Sequence, residues 1–364
     1  MPGPSVVVTA VGGGGNGEQI VKALRRSDVG YTIVGTDLSA DSKGLYEVDH
    51  AYLVPAANDG RYLHRITRVC QRHDAVALFP GSEPELRTLS AHRRHFADLG
   101  ILLPVNLPDV IDLCMDKLRC SEKLAAQGFH VPRWRPVESL SDLDAIDLLP
   151  AVLKPSVGGG GSINLFLAQT REELQTFGRY LLRLYPRFIV QEYVGTPDSE
   201  YTVGVLHTMH GEFVNSIGIR RYLDTAISSR IRVPNRSGKP GLGDTLVISS
   251  GISQGEIGRF PEVIGVCERI AKVLDARGAI NIQCRLVNGE VMVFEINPRF
   301  SGTTSLRAMV GYNEPDVLLR HHVLGQAITA GFAYQEGTIL RGLAETYVEP
   351  ARRAAVRSVS EDGW

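Results

Sequence analysis

Three polar side chains at steps of two, Glu295, Asn297 and Arg299, stand in the run Val291 to Phe300, VMVFEINPRF. Side chains alternate faces along a strand, so Glu295 and Asn297 point one way while Phe294 and Ile296 point the other. A carboxylate, an amide oxygen and a guanidinium so spaced can hold a divalent cation and phosphate oxygens together. A lone E-x-N-x-R is more simply a solvated strand face, so the remaining residues have to decide between the two.

The second group able to do chemistry is Lys154, delivered by the apolar strand Ala151-Val152-Leu153 and followed by Pro155-Ser156-Val157-Gly158-Gly159-Gly160-Gly161-Ser162. Backbone free of Cβ atoms can wrap its N–H groups around phosphate oxygens while the ammonium supplies charge. The order is not that of a Walker loop, because the lysine precedes the glycines and the next apolar run, Ile163 to Leu167, reads as a strand. A flexible hairpin tip is the plainer alternative, and a lysine at the end of a buried strand argues against it. Asp116-Lys117 opens a helix that runs to about Gln127 and stops at Gly128, with Pro132 beyond. Taken alone, Lys117 is a surface residue.

The elements that must carry these groups form an α/β chain. With 364 residues, two or three lobes are expected. Val6 to Val11 reads as a buried parallel strand, Gly12 to Gly17 as a turn, and Glu18 to Arg26 as a helix, with Tyr31 to Thr36 a second strand ending at Asp37. Gly12, Gly14 and Gly17 match G-x-G-x-x-G and Asp37 stands where a ribose-binding acid would, so an NAD(P)-dependent oxidoreductase is one reading. Tight turning alone also explains the glycines. Further strands are expected at Ala51 to Val54, Ala75 to Phe79 and Ile101 to Pro104, with helices near Gly60 to Arg72 and Glu83 to His95. Pro80-Gly81-Ser82-Glu83 follows the fourth strand, where open parallel sheets bind ligands; Ser82 reads as a helix N-cap and Glu83 as a substrate-contact candidate.

Composition sets bounds. The 39 basic residues balance 40 acidic ones, giving a net charge of −1, so no bulk field favours nucleic acid or an anionic membrane. Five scattered cysteines without C-x-x-C spacing argue against a disulfide framework or a zinc site, and a reducing cytoplasm fits best. Met1 to Val11 lacks the pattern of a signal peptide, and no apolar run is long enough to span a membrane.

Lys154-Pro155 with its glycine loop, Gln191-Glu192-Tyr193-Val194, Glu200-Tyr201-Thr202-Val203, Gly278-Ala279-Ile280-Asn281-Ile282-Gln283 and Phe294-Glu295-Ile296-Asn297-Pro298-Arg299 follow in this order. Together they resemble the ATP-grasp superfamily, in the branch of the carbamoyl phosphate synthetase large subunit, biotin carboxylase and the carboxylate-amine ligases. The resemblance covers residues 1 to about 330. It implies an N-terminal open parallel α/β domain (1–112), a small lobe with the glycine-rich loop (113–187), a large lobe with the metal site (188–335), and a C-terminal strand or tail (336–364). It further implies that Lys117 and Lys154 contact ATP phosphates under the loop Gly158, Gly159, Gly160 and Gly161. The hinge Gln191, Glu192, Tyr193 and Val194 would receive the adenine, Glu192 and Val194 through backbone groups, and Glu200 the ribose. Gln283, Glu295 and Asn297 would carry Mg²⁺, or Mn²⁺ in its place, and Arg299 would stabilise the transferred phosphoryl group.

A two-residue turn at Asn288-Gly289 would pair Gln283 with Phe294 and face it away from Glu295. Shared metal binding therefore requires a three-residue connection or a one-residue bulge. Many relatives place a carboxylate at the Gln283 position, so a glutamine there implies a weaker second metal site. For the substrate side, Arg220, Arg221, Arg230, Arg232 and Arg307 are available, and Arg230 and Arg307 are the favoured grips on a carboxylate or acyl phosphate. No repeat of the Lys154 or Glu295 motifs occurs, and no biotin-binding region is apparent. The resemblance thus implies an ADP-forming ligase that joins a small carboxylate, an amino acid or related acid, to an amine through an acyl phosphate. Bicarbonate or carbamate activation is the alternative within the family. A homo-oligomer, in the form of a dimer, is expected, with no nucleic-acid or membrane partner. Residues from 351 on read as a disordered tail or an oligomer contact.

Overall fold

The computed structural model of the chain describes residues 3–12, 14–158 and 163–358. Its N-terminal part alternates β1 (Ser5–Thr9), α1 (Asn16–Leu24), β2 (Thr32–Asp37), β3 (His50–Leu53), α2 (Tyr62–Arg72), β4 (Ala77–Phe79), α3 (Glu83–Ala91) and α4 (Arg93–Asp98). Val6, Val7 and Val8 are fully buried because β1 lies between β2 and β4, parallel to both, with apolar groups covering each face. The expected strand at Ile101 to Pro104 is reduced to a parallel bridge from Leu102 to Ala77. The expected helix from Glu83 to His95 breaks at His92, where the backbone leaves helical geometry.

α5 (Pro108–Met115) and α6 (Lys117–Ala126) lead into the small lobe. Asp116 caps α6, its carboxylate accepting from Leu118 N at 3.1 Å and Arg119 N at 3.2 Å. The lobe consists of β5 (Trp134–Val137), α7 (Leu140–Asp144), β6 (Ala151–Pro155), β7 (Phe166–Ala168), α8 (Arg171–Leu184) and β8 (Phe188–Glu192). Its antiparallel sheet runs β5-β8-β6-β7, with α7 and α8 closing an apolar core around Leu143, Leu174, Leu181 and Phe188. Because β8 is hydrogen-bonded between β5 and β6, residues 188–192 belong to this lobe, and the boundary expected after residue 187 falls later.

The large lobe follows with β9 (Glu200–His207), β10 (Phe213–Arg221), the hairpin β11 (Ser229–Pro234) and β12 (Thr245–Ser249), β13 (Gly255–Gly258), α9 (Pro261–Val273), β14 (Ala279–Val287), β15 (Glu290–Asn297), α10 (Thr304–Met309), α11 (Glu314–His322) and β16 (Gly337–Ile339). Its sheet order is β15-β14-β9-β10-β13-β16, antiparallel throughout. α9 packs its Val263, Cys267 and Ile270 against Val203, Ile280 and Ile282, which seals one face and leaves the other to polar residues.

Residues 351–358 of the expected tail pack against the body, and residues 359–364 lie outside the described residues. α12 (Pro350–Ala354) precedes β17 (Arg357–Ser358), which pairs with β3 as an edge strand of the N-terminal sheet. Among the described residues no helix is long and apolar enough to cross a membrane, and Cys70, Cys114, Cys120, Cys267 and Cys284 are all free and buried.

Candidate active site

The β14/β15 hairpin closes through Asn288 and Gly289, both with positive φ (52° and 82°), between the paired residues Val287 and Glu290. That is the two-residue turn, and carried along the strand it would bring Gln283 opposite Phe294. A bulge between Gln283 and Cys284 absorbs one residue. Cys284 still faces Val293, but Gln283 now faces Glu295 and Asn281 faces Asn297. The slip sets four oxygen-bearing side chains on one face of two strands.

The neighbouring strand extends this polar face. β9 sets Thr202 beside Gln283 and Glu200 beside Arg285. Glu200 is almost wholly buried, and both its oxygens are taken: Oε2 accepts from Arg285 Nε at 3.1 Å and Nη2 at 2.9 Å, and Oε1 accepts from Arg221 Nη1 at 3.1 Å. Burial pulls the Arg221 guanidinium below its ordinary value, with Glu200 and Glu295 opposing. The Arg285 guanidinium lies 4.6 Å over the Tyr193 ring, and its Nη1 donates to Val194 O at 3.0 Å. Glu200 therefore lines the cleft as part of a closed cluster under the hinge.

Asn281 is the functional candidate that residue-by-residue reading missed. It is nearly buried, lines the cleft, and its Oδ1 accepts from Thr202 Oγ1 at 2.9 Å and Arg307 Nη2 at 2.6 Å. Its signal in the sequence is the period-two set Asn281, Gln283, Arg285. Arg307, expected to grip substrate, has no exposed surface; its Nη1 donates to Glu314 Oε1 at 3.0 Å. A Cβ on Gly204 would meet Arg307 Nη1 at 2.3 Å, so the glycine makes room for it. The structure thus corrects that expectation: Arg307, buried on the same face of the sheet, braces the Asn281 side chain. Arg230 is also corrected. It is exposed on β11 and does not line the cleft, because alternation on this strand points Arg230 and Arg232 outward.

A cleft of about 880 Å³ opens between the small lobe, the polar face of the large lobe and the N-terminal domain. Gln191, Glu192, Tyr193 and Val194 line its hinge. Tyr193 OH donates to Val247 O at 3.2 Å and accepts from Val247 N at 2.9 Å, fixing the hinge to β12. Arg133 grips Glu192 in bidentate fashion at 2.8 and 3.0 Å, and this hydrogen bonding holds the Glu192 carboxyl below its usual range. Val194 N–H has no partner among the described residues and is free to meet a base edge.

Lys154 reaches the cleft from β6 and donates to Phe294 O, the bulge residue, at 3.0 Å. Burial pulls its ammonium down to about 8, with Glu295 opposing and Lys117 reinforcing the shift. Lys117 lines the same wall from the first turn of α6, with its backbone N–H bonded to Ser156 O at 2.9 Å. Gly158, at φ 79°, is exposed at the cleft; Gly159, Gly160 and Gly161 lie outside the described residues.

Arg299 lines the cleft opposite. Its Nη2 donates to Asn297 Oδ1 and to Glu83 Oε1, each at 3.0 Å, and its Nη1 to Phe300 O at 3.2 Å. Gln283, Glu295 and Asn297 offer one carboxylate and two amide oxygens. Among the described residues no group of three His, Cys, Asp or Glu side chains could hold a metal. This donor set suits a hard cation such as Mg²⁺ that keeps waters and arrives with phosphate oxygens, and it is too poor for an ion held by protein alone.

The N-terminal glycines serve packing as well. Asp37 Oδ2 accepts from Gly12 N at 2.9 Å, and a Cβ on Gly12 would meet Ser42 at 2.5 Å. Asp37 thus braces its own loop. Gly14, Gly15 and Asn16 border the cleft at the start of α1.

Comparisons with known proteins identify relatives of two parts of the chain. Residues 8–104 match the family model described as PylC-like, N-terminal domain. Residues 248–343, which contain the hairpin and Arg299, match the model described as ATP-grasp in the biosynthetic pathway with Ter operon. The protein y4rH of Sinorhizobium fredii is 26% identical over 298 residues, 79% of this chain and 56% of the relative. The carbamoyl phosphate synthase large chain of Brucella melitensis is 26% identical over 277 residues, 71% of this chain but 23% of the relative. The chain thus spans little more than half of one curated relative and under a quarter of the other. Among solved structures, the ADP complex of N5-carboxyaminoimidazole synthetase from Staphylococcus aureus superposes with a TM-score of 0.64 at 16% identity, covering 92% of this chain and 80% of that one. The L-amino acid ligase from Bacillus licheniformis gives 0.61 at 15% identity, covering 88% and 74%. The chain carries an ATP-grasp domain behind a PylC-like N-terminal domain, and it is homologous to the large chain of carbamoyl phosphate synthase.

Proposed function

We propose that this chain is an ADP-forming ligase that uses ATP to activate a small carboxylate, an amino acid or related acid, as an acyl phosphate and then joins it to an amine. The observation that carries this reading is the bulged register, which puts Gln283 opposite Glu295 with Asn297 and Arg299 following on the same cleft wall, across from Lys154 and Lys117. Phosphoryl transfer asks mainly for positioning and neutralisation of charge, and this wall supplies both.

In this reading Lys117 and Lys154 hold the ATP phosphates under Gly158 and the following glycines. Val194 N–H meets the adenine edge, while the Glu200 cluster with its two arginines forms the floor beneath base and ribose. Mg²⁺, when bound with the nucleotide, would neutralise phosphate charge at Gln283, Glu295 and Asn297. Arg299 is aimed along the same wall and would stabilise the phosphoryl group in transit. Arg307 and Arg230 are left out of this assignment. Mn²⁺ in place of Mg²⁺, a homodimer and a cytoplasmic site of action belong to the same proposal, the last in keeping with free, buried cysteines.

The test is a product assay over a panel of amino acids and amines. ADP with phosphate supports the reading, and AMP with pyrophosphate refutes it. Homology to the carbamoyl phosphate synthase large chain favours a second reading, activation of bicarbonate or carbamate. Bicarbonate-dependent ADP release without any amino acid would establish that one instead.

A further inference from the structure

The cleft continues past Arg299 to a wall contributed by the N-terminal domain, and the only carboxylate on that wall among the described residues is Glu83. Of the other acids that line the cleft, Glu192 is held by Arg133 at the hinge, Glu200 is enclosed by two arginines, and Glu295 sits on the metal face. Glu83 occupies the first turn of α3 and is fixed by its surroundings. Gly81 N donates to Thr9 Oγ1 at 3.1 Å, and a Cβ on Gly81 would meet Thr9 O at 2.0 Å, so the loop that presents Glu83 is pressed onto the end of β1. Its Oε1 accepts from Arg299 Nη2 at 3.0 Å, and its side chain keeps about a quarter of its surface exposed to the cleft.

An amine substrate is a cation near neutral pH and cannot attack until it loses a proton. It needs a proton acceptor beside the point where the acyl phosphate forms. We infer that Glu83 is that group: it receives the substrate ammonium and takes its proton. This inference rests on the ligase reading above. Glu83 accepts the proton from the ammonium, and the freed lone pair attacks the acyl carbon. The C–O bond to phosphate then breaks, its electron pair leaving on the phosphate oxygen, and the phosphate takes the second proton lost by nitrogen. Arg299 ties the two halves together, since drawing it onto the transferred phosphoryl group would release the Glu83 oxygen it now holds.

The test compares amine and hydroxylamine as nucleophiles on Glu83→Gln. Glutamine keeps an oxygen acceptor for Arg299 but cannot take a proton, while hydroxylamine is uncharged at neutral pH and needs none removed before it attacks. The expected result is amide formation lowered by about 100-fold or more, with hydroxamate formation kept to within about tenfold. Raising the pH towards the amine's own pKa should recover much of the lost amide rate. Glu83→Asp should retain part of the amide rate. If Glu83→Gln lowers both products equally, Glu83 acts by placing Arg299 and the inference is overturned. If the native protein gives no hydroxamate with any carboxylate of the panel, the acyl phosphate reading fails first and takes this inference with it.

Discussion

Arg307 Nη2 donates to Asn281 Oδ1 at 2.6 Å from a position with no exposed surface, so a buried arginine fixes the orientation of an amide that lines the cleft. The charge is paid for locally by Glu314, itself fully buried, whose second oxygen accepts from Thr304 Oγ1 at 2.9 Å. Removing one member of a buried pair leaves the other uncompensated. Arg307→Met should therefore cost about 3–5 kcal/mol of stability in a denaturant titration. Adding Glu314→Gln should restore a large part of it. Gly204→Ala should reproduce the defect, because its Cβ would sit 2.3 Å from Arg307 Nη1. A substrate-gripping arginine would give the opposite pattern, with KM raised and stability unchanged.

The proposed metal face carries its charge on one residue. Glu295→Gln would leave only neutral amides on the paired strands, the introduced one beside those of Asn281, Gln283 and Asn297. Turnover at saturating ATP should fall by about 100-fold or more, with the remaining activity needing far more Mg²⁺. Gln283→Glu makes the reverse change directly opposite Glu295, and half-saturation should move to lower Mg²⁺. A Mg²⁺ titration of ATP turnover at fixed total nucleotide measures both, and unchanged half-saturation in the two variants would remove Gln283 from the metal assignment.

The Glu200 cluster separates binding from architecture. Its carboxylate accepts three hydrogen bonds from two arginines that are themselves buried. Glu200→Ala should strand both guanidiniums and destabilise the protein by about 3–5 kcal/mol before any nucleotide is added. Thermal unfolding with and without ADP distinguishes the cases. Loss of stability in the absence of ADP supports a floor held by ions, and loss confined to the ADP-dependent increment points to direct contact with ribose.

How far the sequence carried the fold depended on how local each feature was. The alternation of Glu295, Asn297 and Arg299 follows from strand geometry alone, and the geometric requirement that Gln283 face Glu295 forces a slip in the hairpin, which the bulge at Phe294 provides. Arg307 could not be placed that way. An arginine on an amphipathic turn looks like any surface cation until Glu314, Asn281 and the gap at Gly204 converge from separate elements. Asn281 was visible as a strand residue, but its partner Asn297 is fixed by the register and its brace Arg307 by tertiary packing. The same reason hid the return of Arg357–Ser358 to β3, a parallel pairing across the length of the chain that two residues of sequence do not announce. The fold of β8 into the small lobe likewise depends on which strands it bonds, β5 and β6, and not on its own apolar run.

Lys154 is where stability and function oppose each other most directly. Burial pulls its ammonium from 10.5 down to about 8, so the folded protein binds this proton less readily than the unfolded chain. The sign follows from linkage: between pH 8 and 10.5 the unfolded state holds more protons, and stability must rise with pH across that window. Below pH 8 the cost of the buried charge is present in full, on the order of 3 kcal/mol. Lys154→Met removes that cost, so the nucleotide-free variant should be more stable than the native protein at pH 7, and its stability should lose the rise between pH 8 and 10.5. In the proposed role, nucleotide phosphates would favour the charged form of the native lysine. ADP affinity of the native protein should accordingly weaken as pH climbs past about 8, while the Lys154→Met variant binds weakly and with little dependence on pH. Calorimetric titration with MgADP from pH 6.5 to 9.5, beside denaturant titrations at the same values, reads both effects. If Lys154→Met is less stable than the native protein and keeps its pH-dependent ADP binding, Lys154 is an ordinary structural residue and the phosphate assignment moves to Lys117 alone.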